Sequence, residues 1–433
     1  MNNFIIIILS VVCVVSTASA QHEWTLQECT NYAVENNIQI KKSEQSLESQ
    51  EIRLNSSQNA YLPEVSASAS QNFSFGRGLT SNNTYSNTNT RTTSFSVGAS
   101  MTLFNGFQRR NNVELNKLNL SAYSADLEKV KNDIRLQVAQ AYVQILYNME
   151  IEDVAYRQTQ IDFAQVNRLE SFVANGKASE AELAQQKAAH ANSILTYTQA
   201  INSRRLSLLT LSQLLELPSA DSFAIARPDT SQLSIVNYQL SINYDRPEIK
   251  AEEIRLDATA YNLKVAKGGY YPTLTLSGGM STNYYTASNL PSESFSKQID
   301  NNFSQYISLN LNIPIFNRFS TRNNVRDVKI QQHSQQYTLD LARKTLYKDI
   351  QQVTLNAENA AAKVTAAREA VANSETAFRL AQARYENGKS TITEFNESKN
   401  SYMKSQSDLA QAVYECMYCA MLVKWYQGEE MGW

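Results

Sequence analysis

Four stretches of the chain alternate apolar and polar residues with a period of two. Val65, Ala67, Ala69, Gln71, Phe73 and Phe75 form the first. Phe95, Val97, Ala99, Met101 and Leu103 form the second, and Leu274, Leu276, Gly278 and Met280 the third. Phe303, Gln305, Ile307, Leu309, Leu311, Ile313 and Ile315 form the fourth. This period predicts strands near 64–75, 93–104, 273–285 and 303–315. Each is about 10–13 residues long, enough for a β-strand to cross a bilayer. The alternate positions are mostly Ser, Thr, Asn or Gly, as a water-filled lumen allows. Pro63 and Pro272 mark two strand starts, and Phe104 and Phe316 mark two strand exits. The polar stretches 76–91 and 286–302 read as loops between paired strands.

Elsewhere the apolar period lengthens to three and four. Leu127, Val130, Ile134, Val138, Ala141 and Ile145 step as the seam of a coiled coil does. The row Ser398, Tyr402, Ser405, Leu409 and Ala412 keeps that spacing with small and polar residues. Such a row either lines water or is an ordinary solvated face. Glycine and proline then set the helix ends. From Phe107 to Leu217 the one glycine is Gly176 and there is no proline; from Phe319 to Gln427 the one glycine is Gly388 and again there is no proline. Each stretch therefore predicts two long helices folded back at one break, over 107–216 and 319–427. The breaks are Asn175-Gly176-Lys177 and Asn387-Gly388-Lys389, followed by Ser179 and Thr391 as helix N-caps. A helix from Phe107 to Ala174 would be ~100 Å long at 1.5 Å per residue.

Composition agrees with this economy of turns. The 433 residues include 12 glycines and 7 prolines, against roughly 30 and 20 at average usage. Turn-rich sandwiches, propellers and dinucleotide-binding folds are excluded on that ground. A net charge of −2 leaves no basic surplus for a phosphate backbone, so nucleic acid is not an expected partner. The mean hydropathy of −0.40 excludes a helical membrane protein but not a β-barrel.

Residues 1–20 read as a signal peptide. An apolar run from Phe4 to Val15 precedes Ala18-Ser19-Ala20, a cleavage motif that would leave Gln21 as the new N-terminus. Three cysteines remain after cleavage, and export permits a bridge from Cys29 to Cys416 or Cys419; the other reading is three buried thiols. His22, His190 and His333 are scattered, so no metal site and no cofactor are expected. No nucleophile elbow, phosphate loop or clustered histidine points to an enzyme.

The chain is also duplicated. Phe104-Asn105-Gly106-Phe107-Gln108-Arg109-Arg110-Asn111-Asn112-Val113 matches Phe316-Asn317-Arg318-Phe319-Ser320-Thr321-Arg322-Asn323-Asn324-Val325 at seven of ten positions. At the same spacing Glu182 meets Glu394, and Asn175-Gly176-Lys177 meets Asn387-Gly388-Lys389. The expected division is a first repeat 21–216, a linker 217–246, a second repeat 247–427 and a tail 428–433. Four spanning strands cannot close a barrel. Eight would close one whose interior is filled by side chains, so a conducting barrel requires at least three copies.

With these marks in place the chain resembles the TolC family of outer-membrane efflux channels. The resemblance covers essentially the whole mature chain. It is carried by Trp24-Thr25-Leu26, the Tyr-x-Pro strand starts, the Phe-Asn-x-Phe exits, the Asn-Gly-Lys turns and Arg246-Pro247-Glu248-Ile249. The resemblance implies an α+β membrane protein. It implies a homotrimer whose 12-stranded β-barrel, four strands per chain, lies in the outer membrane of a Gram-negative bacterium. The barrel would be continuous with a periplasmic α-barrel of 12 long helices. It also implies a periplasmic adaptor and an inner-membrane pump as partners. Asn175, Gly176, Lys177, Asn387, Gly388 and Lys389 would be the adaptor-contacting tips. Glu394 and Glu397 match paired acidic residues at the tunnel constriction of some members. Rival classes are a trimeric surface adhesin and a structural coiled coil anchored by a barrel. In such adhesins the strands sit together at the C-terminus, whereas here they fall in two separated pairs.

Overall fold

The computed structural model describes residues 23–79, 83–218, 224–228, 245–288 and 291–429. The predicted signal peptide 1–20, most of the linker 217–246 and most of the tail 428–433 lie outside the described residues. In chain order the described residues form β1 (Glu23–Trp24), α1 (Leu26–Asn36), α2 (Ile38–Asn59), β2 (Glu64–Ser74), β3 (Arg77–Leu79), β4 (Tyr85–Asn87) and β5 (Thr90–Asn105). Then come α3 (Gln108–Ala174), α4 (Glu180–Leu214), β6 (Ala224–Ile225), α5 (Pro247–Gly268), β7 (Thr273–Ala287), α6 (Phe295–Asn301), β8 (Ser304–Asn312), α7 (Ser320–Glu386) and α8 (Ile392–Gln427). They cluster into two compact units. No helix among the described residues is long and apolar enough to cross a membrane.

One unit holds the described residues of Met1–Lys41, Lys131–Asn243 and Lys348–Trp433. It is helical, and its long elements follow from the absence of breakers. Helices α3 and α7, each shared between the two units, run 67 residues, a contour of about 100 Å at 1.5 Å per residue. Along the part of α3 in this unit the predicted seam is buried at Ile134, Val138 and Ile145 and half-buried at Ala141; in the other unit Leu127 is buried and Val130 half-buried. Helix α1 opens with a capping box: the Glu28 carboxylate accepts from the Thr25 N–H at 2.8 Å, and the Glu28 N–H donates to the Thr25 hydroxyl at 3.3 Å. Strand β1 pairs in parallel with β6, Glu23 opposite Ala224 and Trp24 opposite Ile225. The Tyr142 hydroxyl lies 3.0 Å from the Trp24 carbonyl and 2.7 Å from that of Ala226, so one α3 side chain holds both segments.

One expectation changes in this unit. The α8 row is partly packed and not an ordinary solvated face. Tyr402 stacks on Phe378 of α7 at 5.7 Å, Ser405 shares a hydrogen bond with Ser374, and Ala412 is buried. Small residues there let two helices of one chain approach closely. Of the two readings of the cysteines, the free thiols hold: Cys29 and Cys419 are buried and Cys416 is half-buried, with no bridge among them. Cys419 packs with Val353, Ala357, Ala360 and Val423, and Cys416 borders the same cluster.

The other unit holds Lys42–Val130 and the described residues of Tyr244–Tyr347. Its centre is an antiparallel sheet in the order β2-β5-β7-β8. Strand β8 ends at Asn312, short of Ile315, because Pro314 has no N–H to add to the ladder. Strand β5 bulges between Thr102 and Phe104. The Arg109 guanidinium donates to the Thr102 carbonyl at that irregularity and lies over the Tyr61 ring at 5.6 Å. Helix α5 starts at Pro247, whose missing N–H is no loss at a first helical position. Arg255 ties α5 to Asp126 of α3, and Gln335 of α7 donates to Glu252 of α5 at 2.6 Å. The stretches expected to be plain loops carry structure of their own: the β3–β4 hairpin in the first and α6 in the second.

Candidate channel wall and hairpin turns

The register of the sheet separates two chemistries. Directly opposed residues of antiparallel neighbours share a face. One face carries Val65–Ala99, Ala67–Val97 and Ala69–Phe95, then Val97–Met280 and Met101–Leu276, then Leu274–Leu311, Leu276–Leu309 and Gly278–Ile307. The opposite face carries Ser66–Gly98, Ser70–Ser94, Ser100–Ser277, Thr102–Thr275, Thr275–Asn310 and Ser277–Ser308. Hydroxyl pairs bridge strands on this polar face, Ser68 to Ser96 at 2.7 Å and Ser281 to Ser304 at 2.9 Å. The apolar face is uncovered: Ile307 is 87% and Leu309 63% exposed. An uncovered apolar sheet of this extent belongs against lipid or a partner, not water. Some polar groups on that face are matched. Thr93 donates to Gln71 at 2.7 Å, and Arg91 lies over the Phe73 ring at 5.8 Å.

Strand β7 pairs with β5 up to Ala287 but with β8 only up to Ser281. Helix α6 supplies what the freed edge lacks. The Gln298 side chain accepts from the Tyr285 N–H at 2.8 Å and donates to the Tyr285 carbonyl at 3.0 Å, as a neighbouring strand would. Asn302 adds a donor to the Asn283 carbonyl at 2.7 Å.

Pro63 and Pro272 stand immediately before β2 and β7, Phe104 lies near the end of β5, and Phe316 follows β8. The exits repeat in detail. Gly106 and Phe107 have φ of 64° and 62°, and Arg318 and Phe319 have 56° and 62°. Phe104 meets Phe107 edge-on at 5.2 Å, and Phe316 meets Phe319 edge-on at 5.4 Å.

The two hairpin turns are near copies. Gly176 and Gly388 have φ of 67° and 68°. The Gly176 N–H bonds the Val173 carbonyl at 2.9 Å and the Lys177 N–H bonds the Phe172 carbonyl at 2.8 Å. The Gly388 and Lys389 N–H groups bond Tyr385 and Arg384 at 3.0 and 2.9 Å. This is the Schellman pattern, in which left-handed backbone returns two N–H groups to the last helical carbonyls. Asn175 and Asn387 each cap a further carbonyl at 2.7 Å. Lys177 and Lys389 are exposed.

Glu394 has a local partner set. Its N–H donates to the Thr391 hydroxyl at 3.2 Å, and its carboxylate accepts from Ser390 at 2.7 Å. Glu182, its counterpart, closes a capping box with Ser179 at 3.0 and 3.2 Å. Glu394 and Glu397 are both exposed in the single chain.

Sequence reasoning missed the polar cluster behind these turns. Lys399 of α8 donates to Asp162 of α3 and, at 3.2 Å, to Asn396. Gln186 of α4 donates to Asp162 and accepts from Asn396, both at 3.0 Å. An aromatic cluster adjoins it, with Leu169, Phe378, Ile392 and Phe395 buried and Tyr385 and Tyr402 packed against them. Burial pushes the Tyr385 and Tyr402 phenols up. Burial likewise pushes the Cys29 thiol up to about 12. Among the described residues no group of His, Cys, Asp or Glu is arranged to hold a metal ion.

The sequence profile of the family described as outer membrane efflux protein matches residues 30–216 and 241–416. The outer membrane efflux protein BepC of Brucella suis is 23% identical over 415 residues, covering 93% of this chain and 84% of that protein. The outer membrane protein TolC of Vibrio cholerae is 22% identical over 318 residues, 71% of each chain. The crystal structure of the outer membrane protein VceC from Vibrio cholerae has the same fold. Its TM-score is 0.76 at 16% identity, covering 94% of this chain and 97% of that one.

Proposed function

This chain belongs to the outer membrane efflux protein family, the TolC-type channels, and on that premise we propose that three copies form the exit duct of a three-part export assembly. The protein is an outer-membrane efflux channel with a long helical periplasmic domain, and it performs no chemistry on its cargo. The observation that supports the trimer is the sheet, four strands with β2 and β8 at its edges. Each edge needs a partner, and eight strands would enclose a filled interior. Twelve strands from three copies close the sheet around water, with the hydroxyl face inward and the apolar face against lipid. The division into a removed leader 1–20, repeats 21–216 and 247–427, the linker 217–246 and the tail 428–433 belongs to the same proposal.

The partners are a periplasmic adaptor and an inner-membrane pump, which supplies the energy. Asn175, Gly176, Lys177, Asn387, Gly388 and Lys389 form the adaptor-facing tips; their exposure and rigid capping suit that role. Glu394 and Glu397 would gather as a ring of carboxylates where the tunnel narrows, drawing cations. Mass measurement of the detergent-solubilised protein tests the trimer, and a stable monomer overturns it. Single-channel recording tests the ring. Replacing both residues, Glu394→Gln with Glu397→Gln, should weaken cation selectivity and block by multivalent cations; unchanged values remove these residues from the constriction.

A further inference from the structure

The four long strands carry only two charged side chains, Glu64 at the start of β2 and Arg91 near the start of β5. Arg91 lies on the apolar face, opposite Phe73, so Glu64 is the one charge on the polar face. The rest of that face is hydroxyl, amide, bare backbone or, at the end of β7, the Ala287 methyl, with two aromatic side chains, Tyr306 and Tyr285. Tyr306 pairs with Gly279, which pairs with Gly98, which pairs with Ser66. The ring lies down on Gly279: a Cβ built there would stand 2.9 Å from Tyr306 Cε1 and 3.2 Å from Cζ. Only glycine admits that pose. At Gly98 a Cβ would meet nothing nearer than the Gly278 carbonyl at 3.9 Å, so the floor beside the ring is open. One side of the ring covers the glycine backbone, as aromatic residues do on weak strands. Tyr306 nevertheless stays 55% exposed.

We propose that Tyr306, with the glycine floor of Gly279 and Gly98, is a stacking platform for flat aromatic cargo in the channel wall. Flat aromatic molecules stack on an exposed ring face, while a wall of hydroxyls and amides holds neither sign of charge. At this level the channel sorts cargo by shape, not by charge. The inference rests on the channel reading above, with the polar face lining the lumen.

The test is single-channel recording with the full-length protein in planar bilayers, probes being added on the side of the interstrand loops. Ethidium, a planar cation, and a planar aromatic sulfonate should both give brief blockades, and tetraethylammonium should give none. Tyr306→Leu should shorten the aromatic blockades roughly 3- to 10-fold, the range expected for loss of one ring stack. Tyr306→Phe should leave them unchanged, which separates stacking from a structural role of the phenol. Unchanged dwell times in Tyr306→Leu, with conductance intact, overturn the platform and leave the channel reading standing. Blockade by the cation alone, abolished by Glu64→Gln, makes charge the determinant and also overturns it. A wild-type protein that conducts no ions overturns both.

Discussion

Lys399 and Asp162 join the last helix to the first long helix through an ion pair closed to water, with side-chain exposures of 1% and 0%. Asn396 and Gln186 share the pair, yet the second Asp162 oxygen has no hydrogen-bond partner. Removing one member strands the other charge in the interior, which costs about 3–5 kcal/mol. Asp162→Ala and Lys399→Met should each lose that much in denaturant unfolding. The double variant Asp162→Leu with Lys399→Met should recover most of it, because apolar replacement of a whole buried pair is often neutral. A double variant as weak as the singles would mean that the network, and not the stranded charge, sets the stability.

Gly176 and Gly388 are open to addition in space but not in backbone angle, since a Cβ at either meets nothing within 4 Å. Asparagine tolerates left-handed backbone; valine does not. Gly388→Asn should be nearly neutral and Gly388→Val should lose about 1–2 kcal/mol. Equal thermal midpoints for the two would refute the conformational account.

At Gly106 the limit is contact as well as angle. A Cβ there would collide with the Gly268 carbonyl and stand 2.8 Å from Tyr271 Cβ. Gly106→Ala should therefore disrupt the strand exit far more than Gly176→Ala disrupts its turn. The second repeat places Arg318 in the same left-handed backbone, at φ 56°. Arg318→Gly should raise stability by about 1 kcal/mol, measured as the shift in unfolding midpoint.

The two sheet faces make opposite demands at adjacent residues. Leu309→Arg puts a charge against lipid and should cost about 2–4 kcal/mol near the bilayer midplane. Ser308→Arg should insert and fold, changing ion selectivity instead. Folding yields in detergent–lipid mixtures compare the pair, and equal losses would contradict the assignment of faces.

The thiols set an alkaline limit. Burial raises Cys29 to about 12 and Cys419 to about 11 in the folded protein, while an unfolded thiol ionises near ~8.5. The folded state therefore holds these protons longer. Its stability is complete below the unfolded value and declines as pH rises toward 11 and beyond. A Cys29→Ala, Cys419→Ala variant should show a shallower decline above about pH 9. Maleimide at neutral pH should label Cys29 only after unfolding.

The sequence discloses those features whose cause is local. Gly176 and Gly388 were legible because a left-handed residue flanked by N-caps is a short-range requirement. The sheet faces were legible because period two survives in each strand separately. Features with distant causes were not. Nothing near Lys399 names Asp162 as its partner, and the α8 row around Ser405 resembles a solvated face until Ser374 is beside it. Helix α6 has no signature in the sequence, because its role is a pair of hydrogen bonds from Gln298 to a strand edge, which leaves no periodicity. Glu394 stands out in the sequence for its charge alone, while in the fold Thr391 caps its N–H and its carboxylate accepts from Ser390.

The sheet order has a consequence for how the protein is made. Strands β5 and β7 are its inner pair, with Val97 opposite Met280, yet the whole first helical hairpin lies between them in the chain. When β5 has been synthesised, β2 is its sole partner from the same chain, and a lone two-strand hairpin is marginal in water. The first hairpin can form early from local contacts, whereas the β5–β7 seam must wait for a distant segment. Until then, apolar strand residues such as Val65 and Phe73 lack the sheet that would order them.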